Sequence, residues 1–341
     1  LQHSCYNRSM AWRYELERED LRSDRIEWNP IFPFKPGAVL QLALTANVVT
    51  YALTGGQFGY WKLFPTEPPR IVPPAWGEVR LANGTIAYGL VPMASHAILR
   101  LEPAKGGWRE TSDERAAVDR GYNRYLPAAG SLREREDALL FRPLVVLGLV
   151  LDRWLREENW FGASQIAVTS ASSKSALGYA LRHGDGPPLL GLTSARNRDF
   201  VERTMVYDSV AAHDELPQLA AGTLILDFTG DPSLIRGLSE RNGDALRVVR
   251  IGATHAGAAS LNDDTVFFAP ERIGREIALN GLEVFERDRA AAIAEFASRS
   301  TDWFIREHVD GPDAIVEAFR DLLTGRVSPE RLLIARPEGA F

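Results

Sequence analysis

The chain has 341 residues, which suits about two domains at the usual ~100–200 residues each, and its 45% hydrophobic and 25% charged residues are the proportions of a packed globular protein. A formal net charge of -6 and a pI near 5.7 lack the basic footprint that neutralises phosphate backbones, so nucleic acid is not an expected partner. A single cysteine, Cys5, leaves no internal disulfide and no multi-cysteine zinc site and fits a reducing cytoplasm, and no apolar run reaches the ~18 residues of a membrane helix.

In chain order, residues 1–9 precede Met10, read as a natural start with an extension ahead of it. Trp12 to Leu16 and Val39 to Leu44 show the alternation of half-buried strands. Val79 to Leu81 and Thr85 to Leu90 flank Asn83-Gly84, a strong hairpin signal. Prolines and glycines punctuate residues 30–107, which predicts a β-rich domain with irregular loops. Residues 109–137 are polar and predict a long loop with short helices, the Arg133-Glu134-Arg135-Glu136 run being a solvated helix face.

The character changes near Leu139. Residues 142–158 read as a mostly apolar helix, whose longest apolar run, Leu144 to Leu151, stops at Asp152 and Arg153. Strands at 165–169, 189–193, 209–211, 223–227 and 246–251 then alternate with helices at 173–183, 198–204 and 233–241. Such alternation predicts crossover units on a parallel sheet, and so an α/β fold. A strand at 266–268, helices at 271–279, 289–308 and 312–323, a stop at Gly325 and a last strand at 332–335 complete the chain.

The segment that carries chemistry is Gln165-Ile-Ala-Val-Thr-Ser-Ala-Ser-Ser-Lys-Ser-Ala-Leu-Gly178, a buried strand running through a short polar turn into a helix. Free N–H groups and the macrodipole at such a helix start favour an anion, and dinucleotide sites place glycines there so that the backbone can approach a pyrophosphate. Ser170, Ser173 and Ala176 stand at the glycine-spaced positions, Ser172 lies between them, and Lys174 adds positive charge. The plain alternative is an ordinary helix cap by Ser172 or Ser173. About 20 residues on, an NAD site carries an acidic residue for the ribose hydroxyl. This chain instead has Leu192-Thr193-Ser194-Ala195-Arg196-Asn197-Arg198, whose serine and arginines suit a 2′-phosphate and so NADPH. Two later strands end in Asp227 and in Gly252-Ala-Thr254-His255, at the carboxyl edge where ligands sit in open α/β sheets. Asp227 is a candidate cap for its turn, and Gly252 a place to admit the nicotinamide or ribose.

Together, Val168-Thr-Ser-Ala-Ser-Ser-Lys-Ser-Ala, Gly191-Leu-Thr-Ser-Ala-Arg-Asn and Ile251-Gly-Ala-Thr-His resemble the medium-chain dehydrogenase/reductase superfamily, and within it a branch grouped as a domain of unknown function with a Ser-Ser-Lys turn. Leu44-Thr-Ala-Asn47-Val-Val-Thr-Tyr51-Ala, Gly59-Tyr60-Trp61, Tyr88-Gly-Leu-Val-Pro-Met93-Ala-Ser-His96, Tyr122-Asn123-Arg-Tyr125 and Phe267-Phe-Ala-Pro270 are similar to motifs of the same branch. The resemblance implies a GroES-like catalytic domain from residues 10–141 and 310–341 around a Rossmann domain from 142–309. It further implies a homodimer through the edge strand near Val266 to Phe268. With one cysteine, the zinc-free quinone and enoyl reductases are the nearer relatives, and Tyr60 stands where their proton-donating tyrosine is expected. Val48 and Thr50 depart from the Pro and Asp of the common loop.

These parts predict an NADPH-dependent reductase of a carbonyl or an α,β-unsaturated carbonyl. A developing enolate or alkoxide needs donors and a proton. A free tyrosine of pKa ~10 supplies both at neutral pH, which points to Tyr60, with Asn47 and Tyr51 orienting the substrate carbonyl and Tyr88, Tyr122 and Asn123 lining the pocket. The bland reading makes these aromatics β-domain core. An α/β-hydrolase with Ser172, Asp227 and His255 has the right chain order but lacks the Gly-x-Ser-x-Gly elbow. A P-loop ending in Lys174-Ser175 lacks its glycines, and a non-catalytic NADPH-binding protein is a third alternative.

Overall fold

The computed structural model describes residues 11–30, 36–243, 246–251 and 265–338, and its two units divide at Leu140/Phe141 and Phe304/Ile305. In chain order the first unit opens with β1 (Trp12–Glu17), β2 (Asp24–Trp28), β3 (Gly37–Leu44), α1 (Ala46–Phe58), β4 (Arg70–Ile71), β5 (Pro74–Arg80), β6 (Ile86–Pro92), β7 (His96–Ala97), β8 (Leu101–Ala104), β9 (Gly107–Glu110) and β10 (Arg124–Pro127). Then come α2 (Leu132–Glu157), β11 (Gln165–Val168), α3 (Lys174–Ala180), β12 (Leu189–Thr193), α4 (Arg198–Thr204), β13 (Ser209–Ala212), β14 (Thr223–Asp227), α5 (Pro232–Asn242), β15 (Arg247–Ile251), β16 (Thr265–Phe267), α6 (Ala269–Asn280) and α7 (Leu282–Arg299). The chain returns to the first unit with β17 (Ile305–Asp310), α8 (Pro312–Leu323) and β18 (Arg331–Arg336).

The first unit is β-rich. One sheet runs β17-β18-β3-β5-β6-β10-β9-β8, with β17 and β18 parallel and the other neighbours antiparallel. The Asn83-Gly84 hairpin forms as expected: Arg80 pairs with Ile86, and Gly84 takes φ 84, the left-handed conformation this turn demands. Three expectations fail here. Residues 46–58, within the stretch expected to hold only strands and irregular loops of a β-rich domain, are helix α1, and the loop expected over 109–137 contains β10. The helix expected over 289–308 ends at Arg299, and residues 305–310 form a strand. Ile305-Arg-Glu-His-Val-Asp carries too much charge to read as strand. Sheet pairing overrides that pattern, with Glu307 and Asp310 bound by Arg331 and Arg336 of the neighbouring β18.

The second unit holds a six-stranded parallel sheet in the order β13-β12-β11-β14-β15-β16. Its strands are near-continuous apolar runs because both faces are covered. Leu224, Ile225 and Leu226 are buried, and Ala167, Leu192, Ile225, Leu238 and Val248 share one core. The helix expected from 142 begins ten residues earlier, where Ser131 and Glu134 form a capping box: Ser131 N–H donates to Glu134 Oε2 at 2.8 Å, and Glu134 N–H donates back to Ser131 Oγ at 3.3 Å. α2 and α3 approach so closely that a Cβ on Gly148 would lie 2.6 Å from the backbone carbon of Gly178.

Candidate functional site

The parallel sheet places the ends of β11, β12 and β14 side by side, and Ser170 to Lys174, Thr193 to Asn197 and Asp227 lie at those ends. Ser170 leaves β11 with φ 50, a left-handed conformation costly for a residue with a Cβ, at the first glycine-spaced position. Ala171 N–H donates to Leu192 O at 3.0 Å, and the buried Tyr207 hydroxyl donates to Ala171 O at 3.1 Å, which ties the turn to β12. Ser173 caps α3, its Oγ accepting from Ala176 N–H at 3.3 Å; the plain capping role is therefore filled. Ser172 is buried and accepts from Asn197 Nδ2 at 3.2 Å, a bond that joins the first turn to the second. Lys174 is half-buried with its ammonium 5.3 Å from the ring centre of Phe304, and loss of water lowers its pKa to about 8.

The second turn supplies the informative atom. Ser194 precedes a short 3-10 turn, Ala195–Asn197, without capping it, and its Oγ is buried with no hydrogen-bond partner. A buried hydroxyl in that condition costs about 1–3 kcal/mol unless something arrives to bond it. Arg196 is exposed on the same turn, and Arg198 pairs with Glu202 at 2.9 Å one helical turn on. Thr193 is buried at the end of β12. Asp227 is also buried, and its Oδ1 accepts from Thr169 Oγ1, Thr229 N–H, Thr229 Oγ1 and Gly230 N–H at 2.7–3.0 Å. It shapes the turn after β14 from beneath, the capping role expected of it. Gly252, Thr254 and His255 lie outside the described residues. The hydrolase arrangement finds no support among the described residues: Ser172 bonds to an asparagine and Asp227 to its own turn.

The first unit gathers the tyrosines. α1 carries Asn47 and Tyr51 four residues apart, hence on one helix face, with Asn47 half-buried in the first turn and Tyr51 buried. Gly59 breaks the helix at φ 80 and puts Tyr60 at once into a 3-10 turn. Trp61 then folds back on α1, where a Cβ on Gly55 would lie 2.0 Å from its Cδ1. The rings of Tyr51, Tyr60 and Tyr122 are mutually in contact, with centroids 4.8, 5.2 and 6.1 Å apart. The Tyr60 hydroxyl donates to that of Tyr122 at 3.1 Å, and Trp76 Nε1 donates to Tyr51 Oη at 2.9 Å. Trp76 stacks on Tyr88 at 5.5 Å. Burial pushes the pKa of all three phenols up, so each holds its proton at neutral pH.

Arg115, a buried arginine beside Leu63 and Phe64, was not singled out from the sequence. It is 1% exposed, donates through Nε to Leu63 O at 3.2 Å and through a terminal nitrogen to Tyr125 Oη at 3.1 Å, sits 3.4 Å from Glu110, and lies over the ring of Phe64 at 4.7 Å. Nothing in the polar run around it distinguishes it from a solvated arginine. Among the described residues no group of three or more His, Cys, Asp or Glu could hold a metal ion, and no helix is long and apolar enough to cross a membrane.

A family model described as "Protein of unknown function (DUF2855)" matches residues 42–328. No curated protein matches. Among solved structures, CurA from Vibrio vulnificus in complex with NADPH superposes with TM-score 0.61 at 11% identity, over 96% of this chain and 99% of that one. The quinone oxidoreductase from Coxiella burnetii gives 0.54 at 12% identity over 96% and 99%. The yhdH oxidoreductase from Salmonella enterica in complex with NADP gives 0.53 at 14% identity over 95% and 99%. At such identities the likeness is one of fold, a GroES-like β-rich domain and a Rossmann parallel-sheet domain, as the sequence resemblance implied.

Proposed function

We propose that this chain, which belongs to the DUF2855 family of proteins of unknown function, is a zinc-independent reductase that uses NADPH to reduce a carbonyl or an α,β-unsaturated carbonyl. The observation that carries the proposal is the buried, unpartnered Ser194 hydroxyl beside exposed Arg196, on a turn bonded through Asn197 to Ser172 of the preceding turn. That donor set, at the carboxyl end of two adjacent parallel strands, fits a dinucleotide with a 2′-phosphate better than one with a free ribose hydroxyl. Bound there, NADPH would supply a hydride.

In this reading Ser170, Ser172, Ser173 and Lys174 hold the pyrophosphate, and Ser194, Arg196 and Asn197 hold the 2′-phosphate. Thr193 at the end of β12 and Asp227 at the end of β14 complete the cofactor set, and Gly252 and Thr254 are the candidates on the nicotinamide side. Tyr60 donates the proton, its raised pKa keeping it in the acid form, while Asn47 and Tyr51 orient the substrate oxygen. Residues 10–141 and 310–341 then form the catalytic domain and 142–309 the nucleotide domain. Zinc independence and a cytoplasmic setting rest on the single cysteine. A homodimer through β16 rests on the exposed Val266 of that edge strand, 60% accessible.

The test is titration with NADPH and NADH, followed by NADPH-oxidation screening over enones, quinones, aldehydes and ketones. Tighter NADPH binding with turnover of at least one class is expected, and Tyr60→Phe is expected to lower that turnover by ~100-fold or more. Tighter binding of NADH, or full turnover by Tyr60→Phe, overturns the corresponding assignment.

A further inference from the structure

The phenols that meet around Tyr60 hold more hydrogen-bond donors than acceptors. Trp76 Nε1 donates to Tyr51 Oη at 2.9 Å, and the Tyr60 hydroxyl donates to that of Tyr122 at 3.1 Å. An indole nitrogen can only donate, so Tyr51 is the acceptor in the first bond and its own O–H is not used. The second bond uses the O–H of Tyr60 and leaves that of Tyr122. These are the only hydrogen bonds of the three hydroxyls among the described residues, so the O–H groups of Tyr51 and Tyr122 have no protein oxygen to bond. The two rings lie 6.1 Å apart at 78°, and both pack on the ring of Tyr60. A donor without an acceptor is costly once water is excluded, so a ligand oxygen entering the cluster gains two hydrogen bonds and takes none from the protein.

Charge narrows what can enter. The charged side chain acting on Tyr60 and Tyr122 is the Asp119 carboxylate. Among the described residues no Lys, Arg or His bonds to the three hydroxyls. A carboxylate or phosphate would be desolvated there without a cation to balance it, whereas a neutral carbonyl oxygen accepts two hydrogen bonds and brings no charge. We propose that Tyr51 and Tyr122 form a two-donor site for the oxygen of an uncharged ketone or enone. Trp76 is its positioning residue: by donating to Tyr51 it commits the Tyr51 hydrogen to that oxygen. This rests on the reductase reading above and narrows its substrate class to neutral carbonyl compounds. Burial holds both phenols protonated, as donors to an oxyanion must be. Hydride addition at the β-carbon of an enone moves the electron pair of the double bond toward the carbonyl oxygen, where the two donors meet the charge. The bond from Tyr60 polarises the Tyr122 hydroxyl and strengthens it as a donor.

The experiment measures binding of 4-phenylbutan-2-one to the protein with NADP+, a state with no hydride to give. Its controls are the alkene with CH2 in place of the carbonyl oxygen and the anion 4-phenylbutanoate. Wild type, Tyr51→Phe, Tyr122→Phe and Trp76→Phe are compared by calorimetric titration and by the infrared carbonyl stretch of the bound ketone; each variant keeps an aromatic ring in place, and an unchanged Tm verifies the fold. Wild type should bind the ketone more tightly than the anion and lower its carbonyl stretch relative to hexane. Tyr51→Phe and Tyr122→Phe should each weaken the ketone about 3- to 10-fold and reverse part of that fall, while the alkene is unaffected. Trp76→Phe should do the same to a smaller degree. A merely structural role weakens ketone and alkene alike, and that pattern overturns the site. So does a wild type that binds no ketone, one that prefers the anion, or a stretch unchanged in Tyr51→Phe. NADPH oxidation with 4-phenylbut-3-en-2-one separates the two readings. The expected binding losses without any oxidation sink the reductase reading and leave the carbonyl site, whereas wild-type kcat and KM in Tyr51→Phe and Tyr122→Phe sink the site and leave the reductase.

Discussion

If NADPH binds as proposed, raising the pH should loosen it, and Lys174 sets by how much. In the free protein, loss of water at the start of α3 lowers its pKa from 10.5 to about 8. A pyrophosphate beside the ammonium favours the charged form and returns the pKa toward its ordinary value. The bound state then holds a proton that the free state has lost, so above pH 8 binding takes up a proton and weakens as pH rises. With the bound pKa back at 10.5, Kd should rise about 25-fold between pH 7 and pH 9.5, or about 2 kcal/mol. Carboxylates and the 2′-phosphate, whose pKa is ~6, have finished titrating by pH 7 and add little to the slope. Fluorescence titration of NADPH across this range measures the effect directly. Lys174→Met should weaken binding at pH 7 and flatten the profile. A wild-type Kd constant within two-fold over the range, or an unchanged slope in Lys174→Met, would refute a contact between Lys174 and the phosphates.

Ser194→Ala should act with opposite signs on stability and binding: the apo Tm holds or rises because an unbonded buried hydroxyl is gone, while NADPH Kd rises about tenfold; calorimetry and titration check the pair. Arg115→Ala should destabilise the first unit by about 3–5 kcal/mol in urea unfolding, because it strips a buried cation from Glu110, Tyr125 and the Leu63 carbonyl; a loss under about 1 kcal/mol would show the cluster tolerates its absence. Gly148→Ala should cost about 1–3 kcal/mol or more by thermal unfolding, since its Cβ would meet backbone of α3 at 2.6 Å with no flexible side chain to yield.

The sequence alone determined the layer that local periodicity controls. Short apolar runs bounded by turn residues, such as Thr223–Asp227, read as strands covered on both faces, and their alternation with helices points to a parallel sheet. The Asn83-Gly84 turn was legible for the same local reason, and so was the polar turn after Val168. Where local pattern and tertiary context compete, reading failed. Helix α1 contains the β-branched Val48, Val49 and Thr50 and the pair Gly55-Gly56, poor helix formers that read as β domain, yet the glycines are there to admit Trp61. β17 is charged and helix-like, and exists because β18 pairs with it.

The candidate site divides in the same way. Its residue types were visible, because strand ends and their turns are contiguous in sequence. Its contacts were not, because they join residues far apart in the chain: Tyr60 meets Tyr122 across 62 residues, Asn197 meets Ser172 across 25, and Lys174 lies over Phe304. Whether a serine is a cap, a tie between turns or an unbonded donor depends on what surrounds its hydroxyl. Ser173, Ser172 and Ser194 take these three parts in turn, and only the folded chain decides among them, since burial removes the water that would otherwise satisfy each one equally.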